Sequence, residues 1–365
     1  MSRPKKSTKD PMESRSATKR TSTASRPAAK KLSIAAYPTV AGFRPPKGDR
    51  FPYKRFWVTD KSIWLMHQRL HDFDCDSRLI VVPPYTYRGL PSKDMRFNSK
   101  HHALISSVED YRGINMLSDM FNEPARMDCR VRDHETPREY FEAHKVDMNS
   151  YTPLEFREII QRNTTECTTF RPWVISCFAK WFNAPKVIDS SAGWGDRLIG
   201  AIASPFIKEY HAWDPNPAVH VGYNAIRKFF RVNAKKYPTI CCPFEDAVVE
   251  ENAFDMLFSS PPFFDKEEYV PASAAAEAAA QSMSRFRTER EWYDGFLKVL
   301  LQKGVYSIKS GGHFCLYIDR TRPTEQYMAW MFADLEAFET TFLGAIAITD
   351  PNQIARRPIF IWQKK

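Results

Sequence analysis

The stretch Lys186-Val-Ile-Asp-Ser-Ser-Ala-Gly-Trp-Gly-Asp-Arg-Leu-Ile-Gly-Ala201 decides the fold of this chain. It begins with an apolar run of strand length, continues through a turn of small residues that contains Gly193 and Gly195, and ends in an apolar-periodic helix start. A strand, a glycine turn and a helix N-terminus together form a cradle in which the backbone comes close to a ligand. The stretch therefore predicts an α/β fold with a ligand-binding loop at the end of a buried strand.

Two further strand ends follow along the chain. The run Glu209-Tyr-His-Ala-Trp213 leads into Asp214, 25 residues after Asp189. An acid at that spacing suits the hydroxyls of a ribose, as in dinucleotide-binding folds. A third short strand, Thr239–Cys242, leads into Glu245–Asp246. Several successive strands that each end in residues able to bind a ligand are less likely to occur by chance than any one of them.

A fourth strand end, Phe254-Asp-Met-Leu-Phe-Ser-Ser-Pro-Pro-Phe-Phe264, points to a receptor for an NH2 group. Its tandem prolines fix φ and remove two N–H donors, which leaves carbonyl groups free to accept hydrogen bonds. A planar base amine is a poor nucleophile because its lone pair is delocalised into the ring. Ser260 Oγ and the Pro261 carbonyl could draw it towards a tetrahedral geometry while Phe263 stacks on the base. On this loop alone, a proline-terminated core strand with a Ser-Pro turn remains an alternative.

Together, Asp189–Ala201 and Ser259-Ser-Pro-Pro-Phe-Phe-Asp265 resemble the motifs of class I S-adenosylmethionine-dependent methyltransferases. The similar branch uses an Asp/Asn/Ser-Pro-Pro-Tyr/Phe loop to methylate exocyclic amines of nucleic-acid bases, and includes DNA-methylase-like proteins of phages and large viruses. The resemblance covers about residues 150–365. It implies a doubly wound, mostly parallel, Rossmann-like sheet of seven strands with S-adenosylmethionine as the cofactor.

The resemblance also implies roles for individual residues. Asp189, Gly193 and Gly195 would lie along the methionine part of the cofactor, with Ser190 in the same loop. Asp214 would bind the ribose hydroxyls, and Glu245 or Asp246 would meet the adenine amine. The target amine would be held by Ser260, Pro261, Pro262 and Phe263. Serine in the first position of this tetrad is commoner in cytosine-N4 than in adenine-N6 enzymes, so either base remains possible.

Substrate selection has two candidate locations. Only about sixty residues separate the cofactor loop from the Pro-Pro loop, too few for a recognition domain, so selection is expected from the N-terminal region or from the loop after Asp265. That loop, 266–287, has an alanine-rich part at 272–280 and is a candidate lid; a solvated helix or mobile insertion is the alternative. Phe264, Tyr269 and Arg285 are candidate substrate contacts, although Arg285 could equally be a surface charge.

Other elements complete the predicted sheet. Apolar residues at helical spacing predict a helix over 289–303, and Gly311-Gly312 then forms a turn before the strand Phe314–Ile318. The runs Ala345–Ile348 and Pro358–Trp362 are expected to form a closing antiparallel pair. Residues 171–182 predict a helix with proline in its first turn, packed under the cofactor loop.

Charge and composition divide the chain into three regions. The net charge of the 365 residues is +10, and the first 60 residues hold 15 of the 53 Lys and Arg but only 4 of the 43 Asp and Glu. Residues 1–35 hold almost no large apolar side chains and are expected to be a disordered basic tail that binds nucleic acid, serves as a localisation signal or only solubilises the chain. Residues 36–150 form an accessory or substrate-recognition region, and residues 151–365 form the methyltransferase domain.

Region 36–150 is rich in aromatic residues and prolines interleaved with Lys and Arg, notably at 51–57 and 83–87. Such stretches are consistent with a platform for unstacked bases, and equally with ordinary aromatic core. The seven cysteines show no Cys-x-x-Cys spacing and are expected to be reduced. The nine histidines lack a metal-binding pattern, so no metal is expected. Without an apolar run of membrane-spanning length, the chain is expected to be soluble and intracellular, in the nucleus, the cytoplasm or a viral factory.

These observations favour an enzyme that transfers methyl from S-adenosylmethionine to an exocyclic amine of a nucleic-acid base, at adenine N6 or cytosine N4, with DNA favoured over RNA. Methylation of RNA, a protein amide or a small molecule is the alternative within the enzymes. A catalytically silent nucleic-acid-binding module that keeps the fold is the alternative from another class. The oligomeric state has no signature in the sequence.

Overall fold

A computed structural model describes residues 59–82, 101–105, 117–146, 159–160, 162–165, 167–270, 280–319, 322–349 and 356–365. Three predictions fall outside these residues: the basic tail at 1–35, the aromatic stretches at 51–57 and 83–87, and nearly all of the alanine-rich part at 272–280.

Most strands of the described residues belong to one sheet with the order β1-β2-β10-β11-β9-β7-β4-β5-β6, and a separate ribbon pairs β3 with β8. The strands are β1 Leu79–Val82, β2 His101–Ile105, β3 Arg130–Val131, β4 Lys186–Asp189, β5 Glu209–Trp213, β6 Thr239–Ile240, β7 Phe254–Ser259, β8 Glu267–Glu268, β9 Ile308–Tyr317, β10 Thr340–Thr349 and β11 Arg356–Lys364.

Seven of these strands form the sheet that the sequence predicts. Strands β6, β5, β4, β7 and β9 lie parallel to one another in that spatial order. Strand β11 enters antiparallel between β9 and β10. The mostly parallel sheet and its closing antiparallel pair are thereby confirmed. The carboxyl ends of β4, β5 and β7 meet at one edge of the sheet, where open α/β folds bind ligands.

Two strands from region 36–150 extend this sheet. Strand β2 pairs in parallel with β10, with His102 opposite Ile346 and Ile105 opposite Thr349, and β1 pairs antiparallel with β2. This part of region 36–150 is therefore continuous with the sheet formed by residues 151–365, a connection that the predicted division at residue 150 does not anticipate.

Helices cover both faces of the sheet because successive residues of the central strands point to opposite sides. Val187 and Met256 belong to one buried cluster, whereas Ile188 and Leu257 belong to another. The helices of the described residues are Asp60–His71, Cys75–Arg78, Asp119–Arg126, Pro137–Ala143, Pro172–Trp181, Asp196–Ala203, Pro217–Phe229, Ser282–Arg285, Glu289–Trp292, Lys298–Ser307 and Tyr327–Ala337, with a 3-10 turn at Phe244–Asp246 and a π turn at Tyr293–Leu297.

The helix Pro172–Trp181 is buried along most of its length and packs against Asp196–Ala203, the helix that follows the cofactor loop. Proline at its first position fits because that N–H has no partner within a helix. This helix therefore packs against the element that follows the cofactor loop, and its packing under the loop itself stays a prediction.

Two local predictions differ from the structure. Gly311-Gly312 does not precede a strand but lies inside β9, where the pairing with β7 shifts register between Phe254 and Met256. A Cβ on Gly312 would lie 2.8 Å from the Lys309 carbonyl oxygen and 2.9 Å from that of Asp255, so glycine permits this close backbone approach. The helix predicted over 289–303 is interrupted by the π turn and runs on to Ser307.

The expectation that all cysteines are reduced is wrong for two of them. Cys129 and Cys167 form a disulfide bond, with Cα atoms 6.2 Å apart. Their separation of 38 residues gives no sequence signal, because only the fold brings the end of helix Asp119–Arg126 beside the chain that leads into Pro172. Because two of the cysteines form a disulfide bond, the cysteines no longer support assignment of the chain to a reducing compartment.

Candidate active site

A cavity of about 450 Å³ opens at the carboxyl ends of β4, β5 and β7. It brings together residues from three of the predicted motifs: the cofactor loop, the end of β5 and the Pro-Pro loop. The predicted site residues among its lining are Ser190, Gly193, Asp214, Glu245, Ser260, Pro261, Pro262, Phe263, Phe264 and Tyr269. Asp189, Gly195, Asp246 and Arg285 lie outside that lining.

Asp189 ends β4 and is fully buried. Its Oδ2 accepts hydrogen bonds from Arg197 Nε and the Tyr210 hydroxyl, both at 2.6 Å. Its Oδ1 accepts from the Ser259 hydroxyl at 2.7 Å and from the Ser191 N–H at 3.1 Å. With four donors from its own chain, this carboxylate organises the surrounding loops and has no free direction towards a ligand.

The hydroxyl groups of Ser190 and Ser259 connect two loops of the site. Ser190 Oγ donates to Ser259 Oγ at 2.9 Å, and Ser259 Oγ donates in turn to Asp189. Both serines are buried. Because Ser190 begins the cofactor loop and Ser259 precedes the Pro-Pro loop, this chain of hydrogen bonds fixes the two loops relative to each other.

Asp214 follows β5, lines the cavity and is not fully buried. Its Oδ2 accepts from the Gly193 N–H at 2.8 Å and its Oδ1 from the Asn216 N–H at 3.0 Å. Burial raises the pKa of this carboxyl to about 6, against the lowering effect of these two backbone donors. Each carboxylate oxygen retains capacity for one further donor, which matches a pair of neighbouring hydroxyls.

Gly195 gives the cofactor loop its turn into the following helix. Its φ of +93° is one that residues with a side chain rarely adopt, and it is the N-cap of Asp196–Ala203. A Cβ at this position would lie 2.9 Å from Ile226 Cδ1. Gly195 therefore contributes to the site by its backbone conformation. That conformation lets Gly193 and Trp194 line the cavity.

Glu245 and Asp246 lie in the 3-10 turn after β6, and Arg285 binds both of them. Arg285 Nη1 is 2.7 Å from Glu245 Oε1 and 2.9 Å from Asp246 Oδ2. Burial raises the pKa of Glu245, which lines the cavity. The structure thus pairs Arg285, a predicted substrate contact, with the two predicted adenine contacts. The role of Arg285 towards a nucleic acid stays a prediction.

The Pro-Pro loop presents all four residues of its tetrad, Ser260 to Phe263, to the cavity. The Phe263 ring is partly exposed, its centroid lies 5.9 Å from that of Tyr317, and Lys266 Nζ lies 5.1 Å above it. The next residue, Phe264, has φ of +46° and is 7% exposed, with its ring 5.6 Å from that of Trp292. The two adjacent phenylalanines therefore differ: Phe263 remains available to a ligand, and Phe264 packs mainly in the core.

Tyr269 closes another side of the cavity. Its hydroxyl donates to Glu267 Oε2 at 2.5 Å, and Gln281 Oε1 accepts from the Tyr269 N–H at 2.7 Å. Gln281 Nε2 also donates to the Val270 carbonyl at 2.9 Å, so this one side chain ties together the two described ends of the candidate lid.

Asp196 is a site residue that sequence reasoning missed. It lines the cavity at the start of its helix, and its carboxylate accepts hydrogen bonds from the Ser118 hydroxyl and from the Phe170 N–H. Burial raises its pKa to about 7. An acid in the first turn of a helix is too common to signal a site, and its partners lie 78 and 26 residues away in the chain.

Comparisons with known proteins give the following results. No protein-family model matches the chain, and no curated protein is significantly similar to it in sequence. Among solved structures, the tRNA (m1A58) methyltransferase TrmI from Aquifex aeolicus is 15% identical, with 57% of this chain and 74% of that chain covered and a TM-score of 0.37. The N-methyltransferase NodS from Bradyrhizobium japonicum, in complex with S-adenosyl-L-homocysteine, is 9% identical, with coverages of 52% and 85% and a TM-score of 0.33. The [4+2]-cyclase SpnF is 10% identical, with coverages of 52% and 80% and a TM-score of 0.34.

With identities and TM-scores this low, these similarities carry no argument about function. The fold class rests on the chain itself: five parallel strands in the order β6-β5-β4-β7-β9, with β11 antiparallel between β9 and β10. This is the class I methyltransferase fold. No helix in the described ranges is both long and apolar enough to cross a membrane. Nor do the described His, Cys, Asp and Glu residues include a group of three that could hold a metal ion.

Proposed function

We propose that this chain transfers a methyl group from S-adenosylmethionine to an exocyclic amine of a nucleic-acid base. The observation that carries the proposal is that Asp214 and the Ser260–Phe263 loop line one cavity at the carboxyl edge of a methyltransferase-type sheet. One supplies acceptors for a diol and the other supplies acceptors for an amine beside an aromatic ring. Two motifs that are far apart in the sequence therefore line the same cavity.

The residues around Asp214 fit the cofactor. Each oxygen of the carboxylate accepts one backbone N–H and keeps room for one ribose hydroxyl. Pro215, Val219 and Phe244 also line the cavity and provide an apolar surface for a purine ring. When bound, the cofactor supplies an activated methyl group on a positively charged sulfur.

The chain itself acts mainly by positioning. Ser260 Oγ and the Pro261 carbonyl accept hydrogen bonds from the target amine, which localises its lone pair on nitrogen, and Phe263 stacks on the base. Ser260 and Pro261 would aim the nitrogen lone pair at the methyl group that the cofactor would supply, and the amine proton given up in the transfer would leave to solvent. Holding the reacting atoms in line can lower the barrier by about 7–11 kcal/mol, so no strong base is required.

A nucleic acid is the proposed substrate because the amine receptor is next to a partly exposed aromatic ring that a flipped or single-stranded base can reach. The resemblance of the motifs favours DNA over RNA and leaves adenine N6 and cytosine N4 as the candidate atoms. The basic residues of the first 60 positions would add sequence-independent affinity for phosphate.

Transfer of radiolabelled methyl from S-adenosylmethionine to DNA, RNA and a protein extract, measured in parallel, tests this proposal. We expect label in nucleic acid, with DNA labelled more than RNA. Label found only in protein would indicate that the Pro-Pro loop binds a protein amide. Binding of S-adenosylmethionine without label in any fraction would favour a catalytically silent nucleic-acid-binding module. Absence of S-adenosylmethionine binding would reject the proposed enzymatic function.

Phe263→Ala is the sharpest variant for the amine receptor. Loss of one base–aromatic stack costs about 1–3 kcal/mol, so we expect methyl transfer to fall at least tenfold while the dissociation constant of S-adenosylmethionine hardly changes. Phe206→Ala is a matched control, because Phe206 is 36% exposed and precedes β5 at the opposite edge of the sheet. Wild-type transfer by Phe263→Ala, or its loss of cofactor binding, would show that Phe263 is a core aromatic.

A further inference from the structure

Residues 117–132 contact both loops on which the proposed reaction depends. They contain the helix Asp119–Arg126 and strand β3. We call them the positioning segment. They belong to region 36–150, which the sequence assigns to an accessory role, and none of the expected site residues lies among them.

The first half of the positioning segment holds the cofactor loop. The Ser118 hydroxyl donates to Asp196 Oδ1, and Asn122 Nδ2 donates to the Trp194 carbonyl at 2.7 Å. Ser118 and Asn122 are 1% and 3% exposed, so water does not compete for these hydrogen bonds. Their partners Trp194 and Asp196 line the cavity.

The second half holds the chain that follows the Pro-Pro loop. Strand β3 pairs antiparallel with β8, Glu267–Glu268. Arg130 Nε lies 2.6 Å from Glu268 Oε2 and reinforces this pairing. One residue further, the Arg132 N–H donates to the Lys266 carbonyl at 2.8 Å, and the Arg132 guanidinium forms an ion pair with Asp265.

Asp265 connects the contact with Arg132 to the tetrad Ser260–Phe263. Its side chain is 12% exposed and also receives Arg322 Nη2, at 3.1 Å from Oδ1 and 2.9 Å from Oδ2. Two arginines from distant parts of the chain thus converge on one buried carboxylate. The Lys266 N–H donates to the Phe263 carbonyl at 3.1 Å, which closes the turn that contains Asp265. A displacement of Asp265 therefore moves Phe263.

We propose that the positioning segment sets the separation between the cofactor loop and the amine-binding loop, and that Arg132 is its decisive positioning residue. The inference rests on the proposed methyl transfer, in which the methyl group must travel in line between a donor held by the cofactor loop and an acceptor held by Ser260–Phe263. Effective molarities fall steeply when such geometry is lost, even by small displacements. A single rigid segment that contacts both loops keeps that geometry.

Arg132→Gln tests the proposal with little risk to the fold. The Arg132 side chain is 45% exposed, and Asp265 keeps Arg322 when Arg132 is removed. We expect single-turnover methyl transfer at saturating substrates to fall at least tenfold, while the dissociation constant of S-adenosylmethionine stays within about twofold. A loss confined to the rate at saturation distinguishes positioning from substrate binding. Arg132→Lys retains the charge and should recover part of the rate.

Arg290→Gln is the matched control. Arg290 also pairs with an aspartate, Asp294, at 2.6 Å, and its side chain is 59% exposed, but neither residue belongs to the positioning segment or to either loop. It should transfer methyl at the wild-type rate. If both variants lose rate equally, Arg132 contributes general stability and the proposal fails.

Amide hydrogen exchange supplies a readout that is independent of activity. In Arg132→Gln, we expect faster exchange over residues 263–268 and unchanged exchange in the central strands β4 and β7. Unchanged exchange at 263–268 together with a full methyl-transfer rate would overturn the proposal. If the wild-type protein transfers no methyl to any substrate, the proposed function fails, and the exchange data alone decide whether Arg132 positions the loop.

Discussion

The carboxyl ends of β4 and β5 carry the same sequence signature, an aspartate after an apolar strand, but use it in opposite ways. At the end of β4, Asp189 is completely buried and accepts four hydrogen bonds from its own chain. After the end of β5, Asp214 accepts two backbone N–H groups, those of Gly193 and Asn216, among the described residues and lines the cavity.

The difference shows that the hydrogen-bonding capacity of an acid at a strand end can be used up within the protein or left open towards a cavity. Asp189 neutralises the buried Arg197 and joins the cofactor loop to the Pro-Pro loop through Ser259. Asp214 keeps acceptor capacity and has a pKa raised by burial to about 6. The count of internal donors, which the sequence does not contain, separates the two roles.

Asp189→Ala should give the largest effect, and it should be on stability. The substitution leaves Arg197, whose side chain is 4% exposed, without its carboxylate. Loss of one partner of a buried ion pair costs about 3–5 kcal/mol of the free energy of unfolding. Denaturant unfolding followed by circular dichroism measures it. Normal stability combined with lost cofactor binding would reverse the comparison, since Asp189 would then serve the ligand.

Asp214→Ala should have a smaller effect, and on affinity. We expect S-adenosylmethionine binding to weaken by about 1–3 kcal/mol, the cost of leaving ribose hydroxyls without acceptors, measured by calorimetry. Its free energy of unfolding should change less than that of Asp189→Ala. Unchanged cofactor affinity would remove Asp214 from the site.

The pH dependence of cofactor binding gives the smallest and most specific effect. Because burial raises the pKa of Asp214 in the folded chain, the stability that this group contributes falls as the pH rises from about 4, near its unfolded value, to about 6, and stays constant above that, the reverse of a paired surface carboxylate. The ionised form is the better acceptor for two hydroxyls, so affinity should be about tenfold weaker at pH 5 than at pH 7.

Asp214→Asn provides the control, because it cannot titrate while Asp196 and Glu245, whose pKa values burial also raises, remain unchanged. The difference between the two pH profiles therefore isolates Asp214. Parallel profiles for wild type and Asp214→Asn would assign the titration to one of the other two acids.

Local patterns in the sequence were sufficient to predict seven of the nine strands described in the sheet. The strands that end at Asp189, Trp213 and Ser259 and the closing pair near the C-terminus were predictable because apolar runs of strand length bounded by turn residues are short-range signals. The gathering of Asp214 and Ser260–Phe263 around one cavity was predictable because parallel strands end at the same edge.

Contacts between distant parts of the chain could not be predicted in this way. The hydrogen bond of Asn122 to Trp194 spans 72 residues, and the disulfide joins Cys129 to Cys167 across 38. Neither has a pattern in a single sequence. The same limit applies to Asp265, since nothing in its neighbourhood indicates that Arg132 and Arg322 bind it.

The pairing of β2 with β10 determines where this chain can be divided. In the full chain, the backbone of Ile346–Thr349 is covered by His102–Ile105. A fragment chosen from the motifs alone, starting at residue 151, would contain every strand of the seven-stranded sheet but leave this β10 edge bare. Uncovered edges recruit strands from other molecules, so such a fragment should self-associate even though its Pro-Pro loop is complete. The smallest independently useful unit of this protein therefore includes the strands that precede its recognisable motifs.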